Sequence, residues 1–314
     1  MPSYRQQLPQ LDADVFLTDG GIETTLIFDD GFELPDFAAF PLLDDAAGRT
    51  ALVRYFEPYL DIARRDGVGI VLETPTWRAS ADWGTRLGYS PTDLVQVNRD
   101  AVELLLELRQ RYEAPATPVV ISGCIGPRGD GYRVMATMTP AEAQAYHAEQ
   151  IRTFADTEVD LVTTITIPYV EEAVGVTEAA RAAGLPVVVS FVVETDGRLP
   201  SGQHLGDAIE AVDAATSSYP VYYMLTCAHP THFSQLFDRV PTWAARVGGV
   251  RANASTLSHA ELDAAEELDA GDPVDLAARC RELHERLPAL RVLGGCCGTS
   301  SLHIDAMSRA LAGA

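Results

Sequence analysis

The segment Leu290-Arg291-Val292-Leu293-Gly294-Gly295-Cys296-Cys297-Gly298-Thr299 joins a short apolar run to a turn that contains two adjacent cysteines. The apolar run predicts a short buried strand at residues 291–293, and the glycines that follow permit the sharp bend at which a strand ends. Two neighbouring thiolates at such a bend can both reach one soft metal ion. The segment therefore predicts a strand whose carboxyl end is part of a functional site.

Seven further β-branched or apolar runs precede this segment, and amphipathic segments rich in Ala, Glu and Leu separate most of them. Strands are predicted at residues 15–18, 68–73, 119–122, 161–165, 187–191, 221–226, 247–250 and 291–293. Helical patterns lie at residues 100–112, 140–157, 170–183 and 273–287. This alternation predicts an α/β protein with the (β/α)8 TIM-barrel fold. Residues 1–314 form a single domain in this interpretation, with a core of about residues 12–312, and the irregular segments 28–45 and 195–206 are predicted loops over one barrel end.

An open, doubly wound sheet is the alternative architecture. Its dinucleotide-binding form requires a glycine fingerprint after the first strand. Asp19-Gly20-Gly21 stands there without the required third glycine. The barrel is therefore favoured.

Composition excludes several classes of function. The 314 residues carry 23 Lys and Arg against 45 Asp and Glu, a formal net charge of −22, which argues against binding to nucleic acid or to an anionic membrane surface. An acidic field is compatible with a cationic substrate, although solubility alone also explains it. The sequence shows no signal peptide and no run of roughly 20 apolar residues. Five cysteines, an odd number, do not suggest a disulfide framework, so we expect a cytoplasmic protein with free thiols.

The predicted barrel places the ends of its strands on one face, where such barrels carry their active sites. Cys227 follows the run 221–226, just as Cys296 and Cys297 follow the run 291–293. Three cysteines at strand ends predict a three-thiolate zinc site with one open position, the arrangement of a catalytic zinc.

Several segments on that face resemble the zinc-dependent homocysteine S-methyltransferase family. The matching pieces are Asp19-Gly20-Gly21, Gly123-Cys124-Ile125-Gly126-Pro127, Ile167-Pro168, Ser190-Phe191, Cys227, Asn253 and Gly294-Gly295-Cys296-Cys297-Gly298-Thr299. They occur in the family's order and span Asp19 to about Ile304. The resemblance implies a barrel that binds Zn2+ through Cys227, Cys296 and Cys297 and that has no catalytic group beyond the zinc-activated thiolate of the substrate.

The resemblance also implies a small-molecule thiol acceptor and a cationic methyl donor. The donor would be an onium compound, S-methylmethionine-like or another sulfonium or betaine, and homocysteine giving methionine is the default acceptor. The predicted substrate-binding residues are Asp19, Gly20, Gly21, Glu73, Thr74, Trp77, Arg78 and Asn253. Homo-oligomerisation and a role as one subunit of a split system are left open.

This sequence departs from the family pattern at four places. Ile165 stands where a Glu is expected to bind the acceptor's ammonium group, and Thr226 and Arg251 replace an Asn and an aromatic residue. Either Glu73 takes over as the acid, or the acceptor is another thiol or a selenol. Arg78 stands where betaine-using relatives carry an aromatic residue; it would repel a quaternary ammonium, contact a donor's carboxylate, or point to an acidic surface. A non-catalytic barrel that binds a thiol or zinc is the remaining alternative.

Other metal-ligand spacings are present but less favoured. Cys280 and His284 share a helix face at i, i+4 without another ligand nearby in the sequence. His229 and His232 would form a mixed site with Cys227, but Pro230 between them is predicted to turn the chain away. Residue 124, the fifth cysteine, is interpreted as a small packed hydrophobic residue.

Overall fold

Eight short strands, buried along their whole lengths, pair in parallel and in chain order to form a closed barrel. The computed structural model describes residues 2–312. Phe16 lies opposite both Gly69 and Val292, so the first strand pairs with the second and the eighth and closes the ring. The strands are β1 (Phe16–Thr18), β2 (Gly69–Glu73), β3 (Val119–Ile125), β4 (Leu161–Ile167), β5 (Val187–Val192), β6 (Tyr223–Thr226), β7 (Val247–Ala252) and β8 (Val292–Gly295). The predicted TIM barrel is confirmed.

Helices surround the barrel and cover the outward faces of the strands. They are α1 (Ile22–Thr24), α2 (Ala46–Asp66), α3 (Ala81–Arg86), α4 (Pro91–Tyr112), α5 (Pro140–Ala155), α6 (Val170–Ala183), α7 (Leu205–Thr216), α8 (His259–Asp263), α9 (Pro273–Arg286) and α10 (Ser301–Ala312). Short 3-10 helices occur at Pro9–Leu11, Pro35–Phe37, Phe40–Asp44, Pro230–His232, Ser234–Phe237 and Thr242–Arg246, and a π-helical turn at Thr25–Asp29. Over the described residues, no helix combines the length and apolarity of a membrane span.

The fourth helix begins earlier than the periodicity of residues 100–112 predicted. Ser90 and Asp93 form a capping box, in which the Asp93 amide donates to the Ser90 hydroxyl at 3.3 Å and the Ser90 amide to the Asp93 carboxylate at 2.9 Å. Pro91 then occupies the first helical turn, where its missing amide hydrogen is harmless. The helix therefore includes residues 91–99, which the prediction had left out.

The barrel interior is filled in two layers of different polarity. Its lower layer is apolar and contains Leu8, Phe16, Val71, Val120, Leu161, Val188, Tyr222, Met224 and Val292. β7 contributes Gly249 here, because a Cβ on that residue would lie 2.7 Å from Cγ of Met224. Leu8 precedes β1 and closes the bottom of the barrel.

Two residues further along the strands, the inward positions become polar. The Ser122 hydroxyl lies 2.8 Å from that of Thr163, and the Ser190 hydroxyl donates to that of Thr226 at 2.9 Å. Glu73 and Arg251 occupy the corresponding positions of β2 and β7, since Glu73 lies opposite Ser122 and Arg251 opposite Thr226 in the sheet. This polar layer is the floor of the cavity described next.

Candidate active site

A cavity of about 460 Å³ opens at the carboxyl ends of the strands. Its size is in the range of pockets for small molecules. Phe28 and Phe37, from the predicted loop 28–45, lie at its wall. The lining also includes Asp19, Gly20, Gly21, Glu23, Glu73, Thr74, Trp77, Arg78, Cys124, Tyr132, Ile165, Cys227, Arg251, Asn253, His259, Cys296 and Cys297. All eight predicted substrate-binding residues therefore border this one cavity.

Three cysteine sulfurs meet at the cavity wall. Cys227 follows β6, and Cys296 and Cys297 follow β8. Their Sγ atoms all lie within 4.8 Å of one another, close enough to share one metal ion. Cys227 and Cys296 are joined as a disulfide in the structure, and Cys297 carries a free thiol. Among residues 2–312, this is the one cluster of three or more His, Cys, Asp or Glu side chains with such spacing.

Hydrogen bonds between neighbouring strand ends hold the cysteine turns. The Cys227 amide donates to the Arg251 carbonyl at 3.0 Å, and the Cys296 amide to the Ala252 carbonyl at 2.8 Å. Cys227 has a φ of 55°, in the left-handed region that residues other than glycine rarely adopt. Gly21 lies directly against the second turn, because a Cβ there would be 2.5 Å from the Cys296 carbonyl oxygen.

Tyr132 and His259 border the cysteine cluster, although sequence reasoning had not selected either. The Tyr132 hydroxyl lies 3.9 Å from Sγ of Cys297, and its ring packs against the His259 ring with centroids 4.4 Å apart. His259 donates from Nε2 to the Cys227 carbonyl. Burial raises the pKa of the Cys297 thiol to about 11. Tyr132 lies in a loop without periodicity, and His259 is the first residue of the short helix α8, so the packing of these two segments places them here.

The less favoured metal ligands lie apart from this cluster. Cys280 is fully buried in the core, and His284 donates from Nδ1 to the Leu290 carbonyl at 2.7 Å. His229 and His232 are buried, and neither joins the group of sulfur atoms in the described structure. Burial lowers the pKa of His229 to about 4.

Asp19 and Arg251 form an ion pair at the bottom of the cavity. Oδ1 of Asp19 lies 2.7 Å from Nη2 of Arg251, and both side chains are almost completely buried. The Tyr55 hydroxyl donates to Oδ2 of Asp19 at 2.9 Å. Arg251 also donates from Nε to the Gly295 carbonyl and from Nη2 to the Gly20 carbonyl, at 3.0 and 3.1 Å. Burial alone would lower the pKa of Arg251, but the carboxylates around it raise that pKa, so it remains a cation.

Glu73 is the second acid of the floor. Burial raises its pKa to about 7, opposed by the attraction of Arg251. Its Oε2 has no hydrogen-bond partner among the described residues. Ile165 lies higher on the cavity wall and is 9% exposed, so the position at which the resemblance implied an acid is apolar in this cavity.

Arg78 is packed between two indole rings. Its Cζ lies 3.8 Å from the Trp77 centroid and 3.6 Å from the Trp83 centroid. Nη1 donates to the Gly129 carbonyl at 3.1 Å, while Nε has no partner among the described residues. Desolvation lowers the Arg78 pKa to about 10, which still leaves a cation at neutral pH. The alternative of an acidic surface location for Arg78 is wrong, because the side chain is buried at the cavity wall.

The remaining predicted residues support the backbone of the site. The Thr74 hydroxyl accepts from the Cys124 amide at 2.8 Å. Asn253 donates from Nδ2 to the carbonyl of the cysteine after β6 at 3.1 Å, which leaves its Oδ1 without a partner in the described structure. The Gly21 amide already donates to the Thr299 carbonyl at 3.0 Å.

Comparisons with known proteins agree with this geometry. The crystal structure of the oxidized form of homocysteine methyltransferase MmuM from Escherichia coli matches with a TM-score of 0.77 at 20% identity, over 98% of this chain and 99% of that chain. The metallated form of the same protein matches with a TM-score of 0.75 at 19% identity, over 98% and 99% of the two chains. No curated protein sequence is significantly similar to the chain. These likenesses show the fold.

The sequence as a whole shows the family. The family model described as homocysteine S-methyltransferase matches residues 16–311, nearly the entire chain. The match contains all three cysteines of the cluster and every predicted substrate-binding residue. The chain belongs to the homocysteine S-methyltransferase family and is a methyltransferase.

Proposed function

We propose that this enzyme moves a methyl group from an onium donor to the thiol of homocysteine, giving methionine, and that it depends on zinc held by Cys227, Cys296 and Cys297. The cluster of three sulfur atoms beside a small-molecule cavity is the observation that carries this proposal. A relative of the same fold has been crystallised in a metallated form, which is compatible with a metal here.

The donor set fits zinc. Cysteine sulfurs are soft ligands that suit zinc, and three protein ligands with one open position are typical of a catalytic site. The reduced state of the Cys227–Cys296 pair is required, since a disulfide does not offer two thiolates. When bound, zinc supplies the positive charge that keeps its sulfur ligands, the acceptor's included, deprotonated at neutral pH.

The protein's own residues then bind and orient the two substrates. In the transfer, a carbon–sulfur bond forms to the acceptor while the bond from the methyl group to the onium centre breaks. The electron pair of the broken bond stays on the donor, whose positive charge disappears. The leaving group is neutral, so no general acid is required, and the thiol's proton is released when the thiolate forms.

A matrix of donors and acceptors tests the proposal. Reduced, zinc-loaded protein is incubated with S-methylmethionine, another sulfonium or a betaine and with homocysteine or other thiols, and the products are identified by mass spectrometry. We expect methionine from homocysteine with at least one onium donor. If no donor methylates any thiol or selenol while zinc remains bound, the barrel is a binding protein and the proposal is wrong.

Arg78 predicts which donors are used. The guanidinium lies between Trp77 and Trp83, so it covers the aromatic faces that would attract an onium group and repels cations without a balancing charge. A donor that carries a carboxylate offsets this repulsion. We expect kcat/KM for dimethylsulfoniopropionate to exceed that for ethyldimethylsulfonium by about tenfold or more, as one charge-assisted hydrogen bond provides.

The variant Arg78→Gln tests the cause of that preference. We expect the ratio between the two donors to fall towards unity, because glutamine cannot pair with a carboxylate as an ion. Arg128→Gln is a matched control, since Arg128 pairs with Asp82 on the exposed surface at 2.7 Å. An unchanged donor ratio in Arg78→Gln would show that Arg78 only packs between the indoles.

Mild oxidation of the reduced, zinc-loaded protein should release the metal and inactivate it. The Cα atoms of Cys227 and Cys296 are 5.4 Å apart, within the range that a disulfide requires. We expect peptide mapping to find this pair cross-linked, with the buried Cys124 and Cys280 unmodified. Reductant plus zinc should restore activity, which is why we propose a reducing compartment such as the cytoplasm. Full activity after complete cross-linking would contradict the three-sulfur site.

A further inference from the structure

One acidic and one basic side chain on the cavity floor each retain a polar atom without a partner. Oε2 of Glu73 and Nη1 of Arg251 are both buried, and neither has a hydrogen-bond partner among the described residues. Each residue is only 6% exposed, and both line the cavity. They are not in ion-pair contact with each other in the described structure, although each influences the charge of the other. The floor therefore presents one unpaired acceptor and one unpaired donor.

Buried polar atoms of this kind are normally satisfied, because an unpaired charge in a dry site is costly. A ligand with one cationic and one anionic group would give both atoms a partner of opposite charge. A neutral polar ligand can hydrogen-bond to either atom but leaves both charges unbalanced, and a singly charged ligand balances only one of them. The floor is therefore suited to bind a ligand that carries one positive and one negative group close together.

Asp19 and Ile165 are less suited than Glu73 to bind a cation. Asp19 already contacts Arg251 through Oδ1 and Tyr55 through Oδ2. Ile165, on the wall above, carries no charge. Unlike Asp19, Glu73 has an oxygen with neither a hydrogen-bond partner nor an ion-pair contact among the described residues.

The position of Arg251 shows which substrate reaches the floor. Its backbone carbonyl accepts from the Cys227 amide, and its Nε donates to the carbonyl of Gly295, the residue before Cys296. The floor is therefore directly beside the sulfur cluster. Under the proposed function, the molecule whose own sulfur would join that cluster is the acceptor, so the acceptor's head group would lie within reach of Glu73 and Arg251.

We infer that Glu73 and Arg251 together determine acceptor specificity: Glu73 binds the ammonium group and Arg251 the carboxylate of a thiol that is an α-amino acid. This inference rests on the proposed function, since the acceptor is the molecule it concerns. It makes Glu73 the acid that replaces the apolar Ile165, and it assigns Arg251 a role in binding substrate besides its pairing with Asp19.

Three thiols of equal chain length test the two contacts separately. Homocysteine carries both groups, 4-mercaptobutanoate lacks the ammonium, and 3-mercaptopropan-1-amine lacks the carboxylate. Their affinities for reduced, zinc-loaded protein are measured by titration calorimetry, which requires no turnover. The series is repeated with methionine and the two corresponding methyl thioethers, whose binding does not depend on a thiolate. For the wild type, we expect the loss of either charged group to weaken binding about 10- to 100-fold.

Two variants connect each contact to its residue. In Glu73→Gln, homocysteine and 4-mercaptobutanoate should bind about equally, while the preference over 3-mercaptopropan-1-amine persists. In Arg251→Gln, homocysteine and 3-mercaptopropan-1-amine should bind about equally, while the preference over 4-mercaptobutanoate persists. Asp263→Asn is the matched control: it removes an acid at the cavity edge whose side chain is 61% exposed and paired with Arg133, and we expect it to leave the ratios among the three ligands unchanged. If Arg251→Gln does not fold, the wild type and Glu73→Gln still test whether Glu73 binds the ammonium group.

Two results would overturn the inference. Wild-type protein that binds 4-mercaptobutanoate as tightly as homocysteine has no ammonium site, and the acceptor is then a thiol without an amino group. Equal weakening of all three ligands by Glu73→Gln would mean that Glu73 maintains the structure of the floor and does not bind the ammonium group. Failure of methyl transfer with the expected binding pattern intact would instead refute the proposed function and leave the inference standing.

Discussion

Cys297→Ser should remove the bound zinc and lower methyl transfer by at least about 100-fold, since even the residues that support metal ligands contribute 10- to 100-fold. A serine hydroxyl is neither soft nor deprotonated at neutral pH, so it does not replace the thiolate. Cys296→Ser should give the same result. Zinc is measured by elemental analysis after dialysis, and activity by mass spectrometry of the methylated product.

The fold should survive these substitutions, because the cluster lies at the rim of a large core. Circular dichroism measures the secondary structure of each variant, and the midpoint of urea denaturation measures its stability. Cys280→Ala is the matched control, since it removes a buried thiol from α9, away from the cavity. It should retain zinc and activity. Stoichiometric zinc in the double variant Cys296→Ser/Cys297→Ser would show that the ligand assignment is wrong.

Asp19→Asn should lower the free energy of unfolding by about 3 kcal/mol, because it leaves Arg251 buried without its carboxylate partner. This is the lower end of the usual cost of removing one partner from a buried ion pair, since Arg251 keeps its hydrogen bonds to two backbone carbonyls. Urea denaturation of the reduced protein measures the change. The substitution should also weaken acceptor binding, because the pair orients the guanidinium on the cavity floor.

A double-variant cycle and an exposed pair serve as controls. Asp19→Asn/Arg251→Met removes both charges and should regain part of the lost stability. Asp263→Asn breaks an ion pair with Arg133 whose side chains are 61% and 63% exposed, so it should cost less than about 1 kcal/mol. An equally small effect of Asp19→Asn would show that the buried pair contributes little to stability.

The sequence alone determined the barrel and the three cysteines at its carboxyl end. Each predicted strand differs from the observed one by at most three residues at either end, because short β-branched runs between amphipathic segments are a local signal. The order of strands in a parallel barrel then places every strand end on one face, so Cys227 and Cys296 could be brought together without knowing any side-chain position.

Only the tertiary structure decided the charges and contacts of the cavity. The pairing of Arg251 with Asp19 joins β7 to the end of β1 over the intervening strand β8, and the position of Trp83 over Arg78 depends on how α3 packs. Tyr132 reaches Cys297 through the path of a loop that has no periodic pattern. Side-chain direction and loop path depend on packing between residues far apart in the chain, and a local pattern contains no information about such packing.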